Sequence, residues 1–266
     1  MKEQIISSIN LLCLDIDGTL LNTSHQLPPE NRAAVQYAAK QGVTVCLMSA
    51  RPPQAIFPIQ QALGVPGPVA SFGGALIWMG DKRVYDRRLP AASVLPVLDE
   101  GVRHGVHVSV YRDLDWFVET EDRWSRNESA ITGLSPIPGP LHDRIQNWDL
   151  GAHKLLCMGE PAQIDAMMAS IHNGHLDCLR SKAEYLEIVP AGTGKADAMQ
   201  VLCDRLGIDA GQTMAMGDHD IDCGLLRAAA VGIAMGNASP AAKQAARCVT
   251  GSNDQAGVAQ AIYQWI

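Results

Sequence analysis

The sequence predicts an α/β protein, a Rossmann-like, doubly wound parallel sheet core carrying an inserted α+β module. Two observations predict it. Short apolar runs alternate with helix-period stretches at both ends of the chain, the pattern of a parallel sheet covered on both faces. The middle breaks that pattern with residue-by-residue alternation about a turn, which marks antiparallel pairing. At 266 residues the chain has room for two domains of about 100–200 residues each.

Taken in order, residues 9–14 form a buried-strand run that ends in acid and glycine. Residues 29–41 repeat apolar side chains at helical spacing (Ala33, Ala34, Tyr37, Ala38) and stop at Gly42. A second run, 43–48, ends at Ser49-Ala50-Arg51, and Pro52-Pro53 opens the next helix, where proline fits the first turn. The third run is 69–71. Late in the chain the pattern resumes. A helix over 195–206 ends at Gly207, a strand covers 213–216, a helix 221–229 and a strand 231–235, and helical stretches lie around Ala241 and Ala259. Ligands of such a sheet sit at the carboxyl ends of its strands.

Between them, Val106, Val108 and Val110 alternate with polar or small residues, and Asp113-Leu114-Asp115 turns the chain into Trp116-Phe117-Val118. Helical stretches follow near 121–131 and 161–172, with strand-like runs near 154–158, 178–180 and 185–189. The expected division is therefore a discontinuous core of residues 1–81 and 185–266 with a module of 82–184 inserted.

Composition excludes several classes. With 21 basic and 28 acidic residues the formal net charge is −7, which argues against nucleic-acid binding, because neutralising phosphates needs a basic surface. No run approaches the roughly 18 apolar residues of a membrane span. The start, Met1-Lys2-Glu3-Gln4, lacks the apolar stretch and cleavage site of a secretory signal. The 7 cysteines include no C-x-x-C pair, and Cys13 and Cys46 lie inside apolar runs, so buried free thiols and a reducing cytoplasm are expected.

The strongest chemical signal is Leu14-Asp15-Ile16-Asp17-Gly18-Thr19-Leu20. An apolar strand runs directly into two carboxylates one residue apart, which repel and lose solvation unless a cation or phosphate chemistry accounts for them. A simple acidic turn is the plainer alternative. Met216-Gly217-Asp218-His219-Asp220-Ile221-Asp222 is a second apolar strand ending in acids. Both ends point to one edge of a doubly wound sheet. Convergent carboxylates there predict a hard divalent cation, most simply Mg²⁺, held through oxygen; a helix cap is the plainer reading of the second acidic cluster alone. Ser49, after the second strand, and Lys195, at a helix start, supply a hydroxyl and an ammonium at the same edge, suited to phosphoryl oxygens. Gly192-Thr193-Gly194-Lys195 is not a P-loop, because Val189 stands where glycine is needed and Ala196 where serine or threonine is.

These segments, in this order, resemble the haloacid dehalogenase superfamily, and more narrowly its Cof-type phosphatases, which carry a large α+β cap. The resemblance spans nearly the whole chain. Beside the two acidic strand ends it rests on Ser49-Ala50-Arg51-Pro52, Gly74-Ala75-Leu76-Ile77, the run from Tyr185 to Pro190 leading to Lys195, and Ala234-Met235-Gly236-Asn237-Ala238. It implies a Mg²⁺-dependent phosphatase acting on a small phosphorylated metabolite, such as a sugar phosphate, through an aspartyl-phosphate intermediate. In that scheme Asp15 is the nucleophile and Asp17 the acid and base, while Lys195 offsets charge around Asp15. Gly18, Ser49 and Lys195 hold the phosphoryl group. Asp15, the carbonyl of Asp17 and Asp218 hold the metal, with Asp222 supporting it, and the cap covers the strand-end edge.

Three positions depart from the family pattern: Gly73 and Ile221 where asparagine is usual, and Gly194 where serine is common. They imply an altered metal shell or slower turnover. Two alternatives stay open, a sugar phosphomutase of the same superfamily and a catalytically degenerate phospholigand-binding protein.

Overall fold

The computed structural model describes residues 8–171 and 174–266; the Met1–Gln4 start and the last residue of the helix expected at 161–172 lie outside them. The chain forms two compact units. One comprises the chain up to Ala50 with Ile56–Tyr85 and Gly194–Ile266, the other Arg51–Ala55 with Asp86–Thr193.

Among the described residues the first unit is built on an eight-stranded sheet. Its spatial order is Cys248–Val249, Val231–Ala234, Thr213–Gly217, Leu11–Asp15, Thr44–Met48, Pro68–Ser71, Leu76–Met79 and Lys82–Asp86. The first six strands pair in parallel, and Leu76–Met79 returns antiparallel on Pro68–Ser71. Successive strand residues point to opposite faces, and each face has its own apolar cluster. Leu12, Leu14, Val45 and Leu47 pack with Ala34, Val35 and Ala38 of the helix Pro29–Lys40. Leu11, Cys13, Cys46 and Met48 pack with Ala198, Met199 and Leu202 of the helix Lys195–Leu206. Burial on both faces explains why these strands read as unbroken apolar runs.

Three details differ from the sequence reading. The strands Leu76–Met79 and Lys82–Asp86 were not expected, since a four-residue apolar run has no usable period and Lys82–Asp86, at the sheet's edge, is mostly polar. The single helix expected at 221–229 is a 3₁₀ turn, Asp220–Asp222, followed by Cys223–Ala228. The junctions also shift. Lys82–Asp86 extends the first sheet, whereas Tyr185–Pro190 pairs with Lys154–Met158 and Leu176–Lys182 in the second. The units therefore divide after residues 85 and 193, not after 81 and 184.

In the second unit a six-stranded sheet runs Leu176–Lys182, Tyr185–Pro190, Lys154–Met158, His107–Arg112, Asp115–Val118 and Ile137–Pro138 among the described residues. All its pairs are antiparallel except the last. The predicted hairpin turns at Asp113, whose φ of 56° is left-handed, and it stacks Tyr111 on Trp116 with centroids 5.7 Å apart. The helix Ala91–His104, unexpected because Pro96 lies inside it, supplies Val94, Val97 and Leu98 to the core of this unit.

A polar network in this unit gives a pH prediction. His153 is fully buried. Its Nδ1 accepts from the Asp113 amide at 3.0 Å and its Nε2 lies 3.1 Å from Asp86 Oδ1. The amide requires a bare Nδ1, so the ring must be neutral. Burial, aided by Arg88, accordingly holds its pKa down to about 4. An unfolded histidine titrates near 6.5, so below that pH the unfolded state takes up the proton first. Stability should fall as the pH drops from about 6.5 to about 4, by up to about 3 kcal/mol. Urea denaturation followed by tryptophan emission at about pH 7 and about pH 4.5 checks this. The His153→Asn variant should lack this component of the slope, and an unchanged slope in that variant would remove the assignment.

Candidate active site

The site lies at the carboxyl edge of the first unit's sheet. Leu11–Asp15 is central there, in register with Thr213–Gly217 on one side (Leu14 opposite Met216) and Thr44–Met48 on the other (Asp15 opposite Met48). Three strand ends thus deliver Asp15, Asp218 and Ser49 side by side. Ser49 is buried; its amide donates to Ala70 and its carbonyl accepts from Gly73. Helix Lys195–Leu206 sets Lys195 in its first turn.

Lys195 is the hub. Its Nζ donates to Asp15 Oδ1 at 2.5 Å and to Asp222 Oδ1 at 2.6 Å, with all three residues buried. Asp222 Oδ2 accepts the backbone amides of Asp218 at 3.1 Å and His219 at 3.0 Å. Asp222 therefore fastens the lysine and the loop bearing Asp218 at once. Thr19 Oγ1 donates to Asp218 Oδ1 at 3.1 Å.

Charge governs this arrangement. Burial pushes the Asp15 carboxyl well above its usual range; Lys195 pulls it down, while Asp222 and Asp218 push it further up. Asp218 is raised by burial and by Asp222. Burial alone would depress Lys195, but Asp15 and Asp222 hold it above its ordinary value. Oxygens of Asp15, Asp218 and Asp222 all lie within 4.8 Å of one another, and in this cluster Lys195 supplies a single positive charge against three acids. Hard oxygen donors with surplus negative charge suit a divalent cation.

Two glycines make the close approaches possible. Gly18 has φ +76°, and a Cβ there would collide with the Asp218 carboxylate. A Cβ on Gly217 would stand 2.6 Å from Asp222 Cγ. Side chains at either position would displace the acids the site is made of.

Asp17 is separate from this cluster. Its side chain is 41% exposed and lies 3.4 Å from His25 Nδ1. The two acids of the first strand end therefore occupy different surroundings, one buried on the lysine and one at the surface. Of the departing positions, Gly73 is left-handed with open space around it, a conformation that asparagine also tolerates, so the exchange removes a side chain and keeps the backbone. Gly194 lies against Gly74, where a Cβ on Gly74 would stand 2.5 Å from the Gly194 carbonyl oxygen. Ile221 is a half-buried member of the 3₁₀ turn before Asp222.

Sequence reasoning gave no site role to Thr19, Asn237 or Ser239. Asn237 Nδ2 donates to the Gly18 carbonyl at 2.8 Å, and the Ser239 amide donates to the Asp218 carbonyl at 2.8 Å. Both follow the strand Val231–Ala234, so a fourth strand end braces the loops that follow Leu11–Asp15 and Thr213–Gly217. The Gly236-Asn237 pair was the available signal. A second acid and histidine group, Asp86, Asp113 and His153, lies in the other unit. Arg88 already fills it, bridging Asp86 at 2.7 Å and Asp113 at 2.7 Å.

A doubly wound α/β sheet with a buried, lysine-paired aspartate at its central strand end and further acids at the next makes an acidic site whose oxygens suit a divalent cation. The profile of the haloacid dehalogenase-like hydrolases matches residues 12–262, and the chain belongs to that family. It is 27% identical over 263 residues to the 5-amino-6-(5-phospho-D-ribitylamino)uracil phosphatase of Bacillus subtilis, covering 97% of this chain and 96% of that protein. To the HMP-PP phosphatase of Yersinia pseudotuberculosis it is 27% identical, with 96% and 95% covered. The crystal structure of a haloacid dehalogenase-like hydrolase from Bacteroides thetaiotaomicron, 26% identical, superposes with a TM-score of 0.90 over 97% of this chain and 100% of that one.

Proposed function

We propose that the protein is a Mg²⁺-dependent phosphatase of small phosphorylated metabolites, a sugar phosphate or similar monoester. The observation that carries this reading is the buried Asp15–Lys195–Asp222 bridge with Asp218 beside it. A nucleophilic carboxylate must be ionised, and burial opposes that, so it needs Lys195 and a cation to remain an anion among other acids. The relatives' named substrates, both small phosphorylated compounds, support the substrate class.

Asp15, Asp218 and the carbonyl of Asp17 would hold Mg²⁺, with Asp222 in support. The ion would neutralise phosphoryl oxygens that a group of carboxylates would otherwise repel. An oxygen of Asp15 attacks phosphorus as the bond to the ester oxygen breaks, and Asp17 gives its proton to the departing alkoxide. Water then attacks the aspartyl phosphate while Asp17 takes its proton. The acyl-phosphate bond opens, releasing inorganic phosphate and restoring Asp15. Ser49, Lys195 and the backbone at Gly18 hold the phosphoryl oxygens through both steps.

All seven cysteines are free, five of them buried, and no helix among the described residues is long and apolar enough to cross a membrane; a cytoplasmic setting agrees with both. Phosphate release from a panel of sugar phosphates and other monoesters, with Mg²⁺ and with EDTA, tests the proposal. Release that EDTA removes and Mg²⁺ restores is expected. Release indifferent to EDTA would overturn the metal assignment, and none from any ester would overturn the phosphatase.

A further inference from the structure

We propose that the second unit carries a binding site for a small organic amine, an apolar body with one ammonium group, in a cavity that shares no residue with the catalytic site. The cavity measures about 430 Å³, within the roughly 300–1,000 Å³ of pockets that hold small molecules. It opens where the helix Ala91–His104 ends at the left-handed Gly105 and the chain turns back into the strand His107–Arg112. Leu98, Val106, Val108 and Leu141, all members of the buried core of this unit, line it. Val102, 81% exposed, carries that apolar wall out to solvent.

Two carboxylates, Glu119 and Asp122, belong to the same lining, and neither lysine nor arginine does among the described residues. Both acids are fixed in place. Glu119 Oε2 accepts the Leu141 amide at 2.8 Å, which leaves Oε1 for a ligand. Asp122 Oδ1 accepts the amides of Trp124 at 2.9 Å and Ser125 at 3.0 Å, capping the helix Arg123–Thr132. Its Oδ2 lies 3.0 Å from His107 Nδ1. Burial would raise the Asp122 carboxyl, but the Ser125 amide and His107 hold it below its ordinary value. Burial also lowers the pKa of His107, against the pull of Asp122, so the imidazole brings no cation to the cavity at neutral pH.

This pattern selects the ligand. Fixed acids with no cation to balance them favour a positive end, and the apolar wall beside them favours a hydrocarbon body. A concave space of this size encloses a ring with a short amino chain, and most of such a ligand's surface leaves water when it enters.

The probe is phenethylamine, with phenethyl alcohol as its neutral counterpart, titrated at neutral pH into the isotope-labelled full chain and followed by amide NMR. Saturable shifts at Val102, Gly105 and Thr120 are expected, with a Kd of about 1 mM or less. The alcohol should bind at least about tenfold more weakly. Glu119→Gln keeps an acceptor for the Leu141 amide and removes one charge; it should weaken the amine about fivefold and leave the alcohol within about twofold. Val102→Lys sets a competing ammonium at the mouth, on an exposed helical position, and should abolish amine binding at an unchanged thermal midpoint. Absence of saturable shifts at these amides up to about 20 mM, equal binding of alcohol and amine, or undiminished amine binding in either variant would overturn the proposal. Tighter binding of N-acetyl-lysine amide than of phenethylamine would overturn it too, because the occupant would then be a protein side chain.

Discussion

Asp15→Asn is expected to abolish phosphate release, with kcat lower by at least about a thousandfold, and to leave the thermal midpoint no lower than that of the native chain. On the proposed mechanism no other group forms the bond to phosphorus, so the loss is of the reaction path itself. Stability should hold because the substitution keeps the shape and removes a carboxylate that burial and two neighbouring acids already disfavour as an anion. Lys195 retains Asp222 at 2.6 Å. Phosphate release and a thermal melt on the same preparation check both halves. Retained turnover would remove Asp15 as nucleophile, and a collapsed melting curve would show that its bond to Lys195 is structural first.

Lys195→Ala should damage fold and chemistry together. It strips the cation from two buried carboxylates, a change that costs roughly 3–5 kcal/mol when one partner of a buried pair is removed, and it deprives the phosphoryl group of its ammonium. The pH dependence distinguishes this from a cavity effect. Burial already holds the Asp15 carboxyl above its usual range, and without the opposing pull of Lys195 it rises further, so the folded variant takes up its proton earlier on acidification than the native chain does. The variant should therefore regain stability relative to the native chain as the pH falls toward the carboxylate range. Denaturation midpoints of the two proteins across that range decide it; a deficit constant with pH would mean lost packing and nothing more.

The class of fold was legible because the central strands are buried on both faces, and such strands announce themselves as unbroken apolar runs. Asp15, Asp218, Asp222 and Lys195 were legible as residues that meet, since parallel strands must end at one edge. What escaped depended on pairings the local pattern does not carry. Leu76–Met79 is too short to show a period, the helix around Pro96 contradicts its own local signal, and Tyr185–Pro190 looks alike whichever sheet it joins. Thr19 and Asn237 were missed for a related reason. A threonine and an asparagine have many ordinary uses, and their bonds to Asp218 and Gly18 appear only when loops distant in sequence are brought together. The departure at Gly73 is a backbone matter, a left-handed residue with open space around it, whereas Gly194 is extended and a Cβ there would meet only the Asp197 carboxylate, so its backbone does not require glycine.

The two oxygens of Asp222 carry a consequence for how such a protein can change over time. One oxygen holds Lys195 and the other holds the amides of Asp218 and His219, so a single buried carboxylate is shared by the lysine that pairs with Asp15 and the acid of the neighbouring loop. Neither can be moved without disturbing the other. Selection for a different metal ion or a different reaction rate cannot adjust these two parts independently, and variation in a lineage of such proteins is channelled away from the strand ends, toward the surfaces where substrates are told apart.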